Sequence, residues 1–94
     1  MEQPVVVLFW APWCESCRDF SPTLRKATSE RGERIKLLRI NVDDASDVAN
    51  RFDATTLPFV VAFVDGEATD QFEGGRSESK TREWVDQLIA GLDE

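Results

Sequence analysis

The sequence predicts an α/β protein with a four-stranded mixed sheet and helices on both faces. Its 94 residues, 41% hydrophobic and 31% charged, have the composition of one soluble globular domain over residues 1–94. Short apolar runs of strand length alternate with segments whose apolar residues recur at helical spacing. Asp65-Gly66 is a hairpin signal between the last two strands. The predicted order is therefore β-α-β-α-β-β-α.

The first half of the chain predicts a strand, a helix and a second strand. Residues 5–10 form a continuous apolar run, which is typical of a central strand that is covered on both faces. A helix is predicted over residues 14–31, with Pro22 as an interior kink and Gly32 as its stop. Residues 35–42 form the next strand, so a right-handed crossover should make the two strands parallel.

The second half predicts a short helix, a hairpin and a last helix. The short helix is opened by Asp43-Asp44 and runs through about Arg51. Residues 59–64 and 67–73 are the two antiparallel strands of the hairpin. Ser77 is the predicted cap of the last helix. The apolar face of that helix consists of Trp84, Val85, Leu88, Ile89 and Leu92.

Charge and composition exclude several classes of function. The formal net charge is −7 and the chain has no histidine, which argues against binding to nucleic acid or to an anionic membrane surface. No apolar run approaches the length of a membrane span. Residues 1–4 lead straight into a strand without a basic or signal-type apolar region, so we expect a cytoplasmic protein.

The two cysteines of the chain lie three residues apart, where the first predicted strand ends and the first helix begins. The first turn of a helix has unpaired backbone N–H groups and the positive end of the helix dipole. A thiol at that position ionises more easily, and the thiolate is the reactive form. With Cys14 at the helix start, Cys17 lies on the same helical face. The pair can therefore form and break a disulfide with little backbone movement.

Three other interpretations of this cysteine pair are weaker. An inert core pair is disfavoured because Trp13, Glu15, Ser16 and Arg18 do not resemble a buried run. A closed zinc site needs about four ligands, whereas the chain has two cysteines and no histidine. A structural bridge would close too short a loop to stabilise the fold much. The pattern favours dithiol–disulfide exchange, because an exposed CxxC in the cytosol is more often catalytic than structural.

Several motifs occur in the order found in one known family. They are the strand before Trp13-Cys14-x-x-Cys17, Asn41-Val42-Asp43 after the second strand, Leu57-Pro58, Asp65-Gly66 and Gly74. Together they cover nearly the whole chain, which resembles the thioredoxin family. The resemblance implies a thioredoxin-like fold and a protein disulfide oxidoreductase that reduces protein disulfides.

The resemblance also implies which partners the protein has and whether it binds a cofactor. The partners are disulfide-containing client proteins and an electron donor of the thioredoxin reductase type, which is a flavin enzyme fed by NADPH. No cofactor or metal is implied beyond the redox-active disulfide between Cys14 and Cys17.

The family's residue roles transfer to matching positions of this sequence. The resemblance implies that Cys14 is the nucleophile and Cys17 the resolving cysteine. Pro58 matches the family's cis-proline beside the sulfurs, and the backbone of Leu57 can then pair with an extended substrate segment. The implied lining of the substrate groove is Trp13, Leu57 and Gly74, although Gly74 has the alternative role of ending a strand.

Three positions depart from the family pattern near the cysteines. Leu8 stands where the family usually has a buried aspartate that helps to move the proton of the resolving cysteine. Cys17 must then lose its proton to water or another base, and we expect slower resolution or a shifted pH optimum. Glu15 and Ser16 replace the usual Gly-Pro. Glu15 puts negative charge beside the thiolate, whereas Ser16 can hydrogen-bond near the sulfurs.

The sequence begins at the position of the family's second strand, so we expect a short member that lacks the first strand and helix. The strand at 35–42 then becomes a sheet edge, which Lys36 and Arg39 protect from pairing with another chain. One sheet face keeps only the short helix at 44–52 as cover. Such an apolar face predicts weak self-association or a partner.

Two further functions remain as alternatives to the reductant. The missing proline and acid suggest a more oxidising disulfide exchanger or isomerase. A client-binding module would use the groove of the thioredoxin fold to hold proteins, with the cysteines secondary. A metal cluster shared across a dimer through two cysteine pairs is the least favoured alternative.

Overall fold

The computed structural model describes residues 3–92 and the side chains of residues 3–91. The expectations that rest on Met1, on Glu2 and on the side chain of Leu92 lie outside these residues.

The predicted order of elements is confirmed. In chain order the elements are β1 (Val5–Trp10), α1 (Glu15–Ser29), β2 (Lys36–Asn41), α2 (Ser46–Arg51), β3 (Phe59–Val64), β4 (Glu67–Glu73) and α3 (Glu78–Leu92), with a 3-10 turn at Gly32–Arg34. Within residues 3–92, no helix is both long enough and apolar enough to cross a membrane.

The four strands form one mixed sheet in the order β2-β1-β3-β4. β1 pairs with β2 in parallel and with β3 antiparallel, and β3 and β4 form an antiparallel hairpin. A parallel pair needs a crossover, and α1 provides it. β2 lies at the sheet edge, as expected. The ends of β1 and β2 and the start of β3 therefore lie at the same end of the sheet.

The main apolar core lies on the face of the sheet that α1 and α3 cover. Leu8 of β1 and Leu24 of α1 are fully buried in this cluster. Phe72 of β4 packs edge-on against two aromatic rings, with its centroid 5.9 Å from that of Phe20 and 4.9 Å from that of Trp84. Such aromatic pairs add to the free energy gained from burial. This core fixes α1, and hence the residues at its start, against the sheet.

The opposite face of the sheet is covered more completely than the sequence indicated. Phe52, just after α2, places its ring centroid 5.8 Å from that of Phe9 and 5.5 Å from that of Phe63. Ala54 and Leu57 also pack on this cluster. Phe52 belongs to the predicted cover at 44–52, but that expectation is incomplete because Ala54 and Leu57, which follow it, also pack on this face.

The helix boundaries differ from the predicted ones for local reasons. Asn41 accepts the backbone N–H of Asp43 on its side-chain oxygen at 2.9 Å, and its carbonyl accepts the N–H of Ala45 at 3.1 Å. These bonds form a turn over the two aspartates, so α2 begins at Ser46 instead of at residues 43–44. α1 ends at Ser29, two residues earlier than predicted.

The predicted cap and hairpin are both confirmed. The Ser77 hydroxyl accepts the N–H of Lys80 at 3.2 Å, so Ser77 is the N-cap of α3. Asp65 and Gly66 have φ values of 52° and 82°, as a two-residue hairpin turn requires.

An ion pair joins α1's C-terminal end to α3. Arg31 donates two hydrogen bonds to the carboxylate of Asp86, at 2.8 and 2.9 Å. The hydrogen bonds from Arg31 hold the pKa of Asp86 below its usual range. The same pairing raises the pKa of Arg31. The pair adds a surface contact between the two helices, which the apolar core holds on the sheet.

Replacing Leu8 should destabilise the fold far more than replacing an exposed leucine of the neighbouring strand. We expect Leu8→Ala to lower the free energy of unfolding by about 3 kcal/mol, because it removes buried methyl groups and leaves a cavity. Leu38→Ala, at a side chain that is 43% exposed, is the matched control and should cost less than about 1 kcal/mol. Urea unfolding measures both values. Equal losses would contradict the assignment of the core to the α1/α3 face.

The Arg31–Asp86 pair predicts a small acid-dependent part of the stability. The folded pKa of Asp86 lies below its unfolded value of about 3.9. The pair therefore stabilises the fold above that pH, and the contribution disappears as the pH falls through the folded pKa. Asp86 is 59% exposed, so solvent screening limits the effect to about 1 kcal/mol or less.

Asp86→Asn removes this contribution and should destabilise the protein at pH 7 more than at pH 3. Thermal unfolding across this range measures the difference. Asp65→Asn, in the distant hairpin turn, should show no such pH-dependent difference.

Candidate active site

The two cysteines lie at the junction between β1 and α1. Cys14 is the N-cap of α1, and its N–H donates to the carbonyl of Ala11 at 3.1 Å. Cys17 lies in the first turn, and the two residues form a disulfide with a Cα–Cα distance of 5.3 Å. The sulfurs therefore lie at the end of β1, beside the end of β2 and the start of β3.

The two cysteines differ in their access to solvent. Cys14 is 7% exposed and lines an open groove of about 560 Å³. Cys17 is 1% exposed and does not line this groove. Both pack with Ala11, and Trp10 and Leu57 lie against the same cluster. An incoming disulfide can therefore reach the sulfur of Cys14 first.

Two groups lie within hydrogen-bond distance of the Cys14 sulfur. The backbone N–H of Cys17 donates to Cys14 Sγ at 3.2 Å. The hydroxyl oxygen of Ser16 lies 3.4 Å from the same sulfur. An N–H and a hydroxyl at a helix start are donors that stabilise a thiolate. The first turn of α1 therefore favours negative charge on Cys14 after the disulfide is reduced.

Trp13 forms one wall of the groove and is 67% exposed. Its indole N–H donates to the carboxylate of Asp43 at 3.3 Å, which connects the wall to the turn after β2. On the other side of the loop, Arg18 donates to the carbonyl of Pro12 at 2.5 Å. These bonds fix an exposed aromatic surface next to the reactive sulfur.

The Leu57–Pro58 segment also contributes to the site, and Leu57 packs against the cluster that contains both cysteines. The Leu57–Pro58 peptide bond is cis, as the resemblance implied, and Pro58 is buried. Leu57 lines the groove. Gly74, with φ 79°, donates its N–H to the Pro58 carbonyl at 2.8 Å and is not among the residues that line the groove. Gly74 thus connects the end of β4 to the proline loop.

Leu8, the position of the missing acid, belongs to the α1/α3 core and is completely buried. Cys17 lies in a separate apolar cluster at the end of β1. Glu15, the carboxylate within the motif, is exposed and lines the groove. The sulfur of Cys17 therefore has apolar neighbours, and the nearest carboxylate of the motif lies on the solvent side.

Three residues of the site were not predicted from the sequence. Asp19 and Thr55 line the groove, and Asp43 positions Trp13. Asp19 follows Glu15 by four residues, which places both on one face of a helix, and this spacing could have identified it. Asp43 was predicted to open the short helix and was part of a quoted motif, but it had no predicted role at the cysteine site. Nothing local distinguishes Thr55 in the sequence.

Metal binding finds no support at this site. Among residues 3–92, no three His, Cys, Asp or Glu side chains come together as a metal-binding group. The chemistry that the arrangement offers is the opening and closing of the Cys14–Cys17 disulfide.

Comparison with known proteins agrees with this geometry. A family model described as Thioredoxin matches residues 1–87. The chain is 33% identical over 88 residues to thioredoxin C-2 of Corynebacterium nephridii. The aligned region covers 94% of this chain and 82% of that protein. It is 29% identical over 86 residues to a thioredoxin of Rickettsia bellii, covering 92% and 82%.

A solved structure of thioredoxin-2, described as a component of malaria parasite protein secretion machinery, has the same fold. Its TM-score with this chain is 0.84 at 22% identity, over 90% of this chain and 82% of that one.

Ser16→Ala should make reduced Cys14 less acidic. A hydrogen bond to a charged group stabilises that charge, so its loss should move the midpoint of the pH profile of Cys14 alkylation upward. Iodoacetamide labelling of the reduced protein, followed by mass spectrometry, measures the midpoint. Ser29→Ala, at the other end of α1, is the matched control and should leave it unchanged. An unchanged midpoint in Ser16→Ala would exclude the hydroxyl as a thiolate donor.

Proposed function

The chain belongs to the thioredoxin family, and we propose that it reduces client proteins with Cys14 as the nucleophile and Cys17 as the resolving cysteine. Membership of the family and the Cys14–Cys17 pair make it a thiol–disulfide oxidoreductase. One observation supports the two roles: Cys14 lines the open groove, whereas Cys17 is buried behind it.

The proposed reaction has two exchange steps. The Cys14 thiolate attacks one sulfur of the client disulfide, a bond forms between Cys14 and that sulfur, and the other client sulfur leaves as a thiolate. Cys17 then loses its proton and attacks Cys14 Sγ. The Cys14–Cys17 disulfide forms, and the first client sulfur leaves as a thiolate. Two electrons pass to the client, and its two thiolates take up protons.

The groove is the proposed binding site for the client. Trp13 offers an exposed aromatic surface, and Leu57 offers an apolar side chain in the same lining. An extended client segment would lie between them, next to Pro58. Gly74 supports the shape of the proline loop through its bond to the Pro58 carbonyl.

Loss of the Cys17 proton is the proposed slow step. Leu8 supplies no carboxylate, and the cluster around Cys17 is apolar. Water that enters when the disulfide opens, or the exposed Glu15, is then the proton acceptor. This supports a slower resolution step than a buried acid would give.

The cycle needs an external source of electrons. The proposed donor is a flavin-containing reductase that uses NADPH, as the resemblance to thioredoxins implies. A cytoplasmic location belongs to the same proposal, because a reductant needs a compartment in which its dithiol is kept reduced. Weak self-association is also proposed, and the edge strand β2 with its exposed Leu38 supports it.

A more oxidising exchanger or isomerase is the second candidate. The donors at Cys14 Sγ, from Cys17 and Ser16, stabilise the reduced form of the pair. Stabilising the reduced form makes a disulfide a stronger oxidant.

The proposed roles of Cys14 and Cys17 predict which cysteine variant forms a stable mixed disulfide with a client. With insulin as the disulfide substrate and dithiothreitol as the electron source, the unmodified protein should turn over. Cys17→Ser that is reduced first and then freed of dithiothreitol should accumulate a mixed disulfide at Cys14 when insulin is added, because the variant has no second thiol to resolve it. Cys14→Ser should form no such species. Mass spectrometry of acid-quenched reactions identifies the trapped residue. A mixed disulfide on Cys17 would reverse the assignment, and undiminished client binding with no turnover in any form would favour a client-binding module.

The reduction potential of the same pair decides between the two candidates. If the protein is a reductant, equilibration with a glutathione buffer should give a reduction potential of about −270 mV. A value between about −180 and −120 mV would favour the oxidising exchanger instead.

A further inference from the structure

We propose that the groove selects client disulfides that are flanked by basic residues, with Glu15 and Asp19 as the residues that determine this preference. The inference rests on the proposed function, since it concerns which clients reach Cys14. It names a substrate class by charge, in addition to the apolar contacts of Trp13 and Leu57.

Both carboxylates share the groove with the reactive sulfur. Glu15 and Asp19 lie four residues apart on α1, so they project from the same helical face. Both are exposed, and both line the groove together with Cys14. A segment that brings its disulfide to Cys14 must therefore pass beside these two side chains.

Among the described residues, no lysine or arginine lines the groove beside Glu15 and Asp19. Arg18 follows Cys17 in α1, and Arg76 lines a neighbouring cavity together with Asp19, but neither arginine forms an ion pair with Glu15 or Asp19 in the part of the chain that the structure describes. Arg18 donates to the carbonyl of Pro12, and the guanidinium of Arg76 lies 3.9 Å from the centre of the Phe72 ring. Asp43 adds a further carboxylate next to Trp13. Within residues 3–91, the groove lining therefore contains two carboxylates and no cation, and the positive charges of Arg18 and Arg76 lie outside it.

Lys or Arg beside the client's cysteine would be attracted to these carboxylates, and Asp or Glu would be repelled. The interaction acts over roughly the 10 Å Debye length at 0.1 M salt, so only residues close to the client's disulfide are selected. Exposed charges of this kind act mainly on the rate of association. The net charge of −7 adds attraction of the same sign at longer range.

Three matched disulfides test the preference. Each is the homodimer of a capped peptide whose single cysteine is flanked on both sides by Lys, Gln or Glu. The reduced protein is mixed with each dimer at low salt, and acid quenching, alkylation and mass spectrometry give the rate at which the Cys14–Cys17 disulfide forms. Each rate is divided by the rate of the same dimer with 2-mercaptoethanol, which removes differences in the peptides' own reactivity.

We expect the normalised rate for the Lys dimer to exceed that for the Glu dimer by roughly tenfold at low salt. The ratio should fall toward one in 1 M salt, where the Debye length is about 3 Å. In Glu15→Gln/Asp19→Asn the ratio at low salt should fall to about twofold or less. The ratio is compared within each protein, so a change in the reactivity of Cys14 does not affect it.

A second double variant separates the groove from the overall charge. Asp65→Asn/Glu67→Gln removes the same charge from the β3–β4 hairpin, which lies at the opposite end of the sheet from Cys14. This variant should keep the tenfold ratio. A wild-type ratio near one, or an equal loss of the ratio in both double variants, would overturn the proposal. Failure to oxidise the protein with all three dimers, including the neutral Gln dimer, would instead count against the proposed exchange activity itself.

Discussion

The parallel pairing of β1 with β2 is the constraint on which the site depends. It requires α1 to cross the sheet, so the helix must begin directly after β1 ends. Burial of Phe20 and Leu24 between α1 and the sheet then fixes the direction of the first turn. Cys14 consequently occupies the N-cap, where an N–H from that turn points at its sulfur. The reactivity of the pair is thus a product of the core packing.

The same first turn contains groups with opposite effects on the reactive sulfur. The N–H of Cys17 and the hydroxyl of Ser16 favour a thiolate on Cys14. The carboxylate of Glu15 opposes it, although its exposure weakens the effect. Leu8 strengthens the core where the family usually keeps an acid, which leaves Cys17 without a buried proton acceptor. The groups of this turn therefore act on the redox balance of the pair in opposite directions.

The helices, the strands and the cysteine site could be predicted from the sequence, because both the elements and the site depend on local patterns. The apolar run of β1, the Ser77 cap and the Asp65-Gly66 turn each specify structure within a few residues. The contacts that were missed are long-range or compete with helix formation. Ala54 and Leu57 cover the sheet face because the chain after residue 52 folds back over it, and no local pattern shows this. The Asn41 side chain delays α2 through a turn that competes with the predicted helix start.

The negative charge of Glu15 and Asp19 near the start of α1 bears on both the stability of the helix and the proposed recognition of clients. Negative side chains near a helix N-terminus interact favourably with its dipole, so Glu15 supports the turn that holds the disulfide. The same charge faces the groove, where it affects every anionic or cationic client. A neutral residue there would favour the Cys14 thiolate but weaken both the helix start and the attraction of basic segments. A carboxylate at this position is therefore consistent with a site whose specificity comes from charge as well as from the apolar surfaces of Trp13 and Leu57.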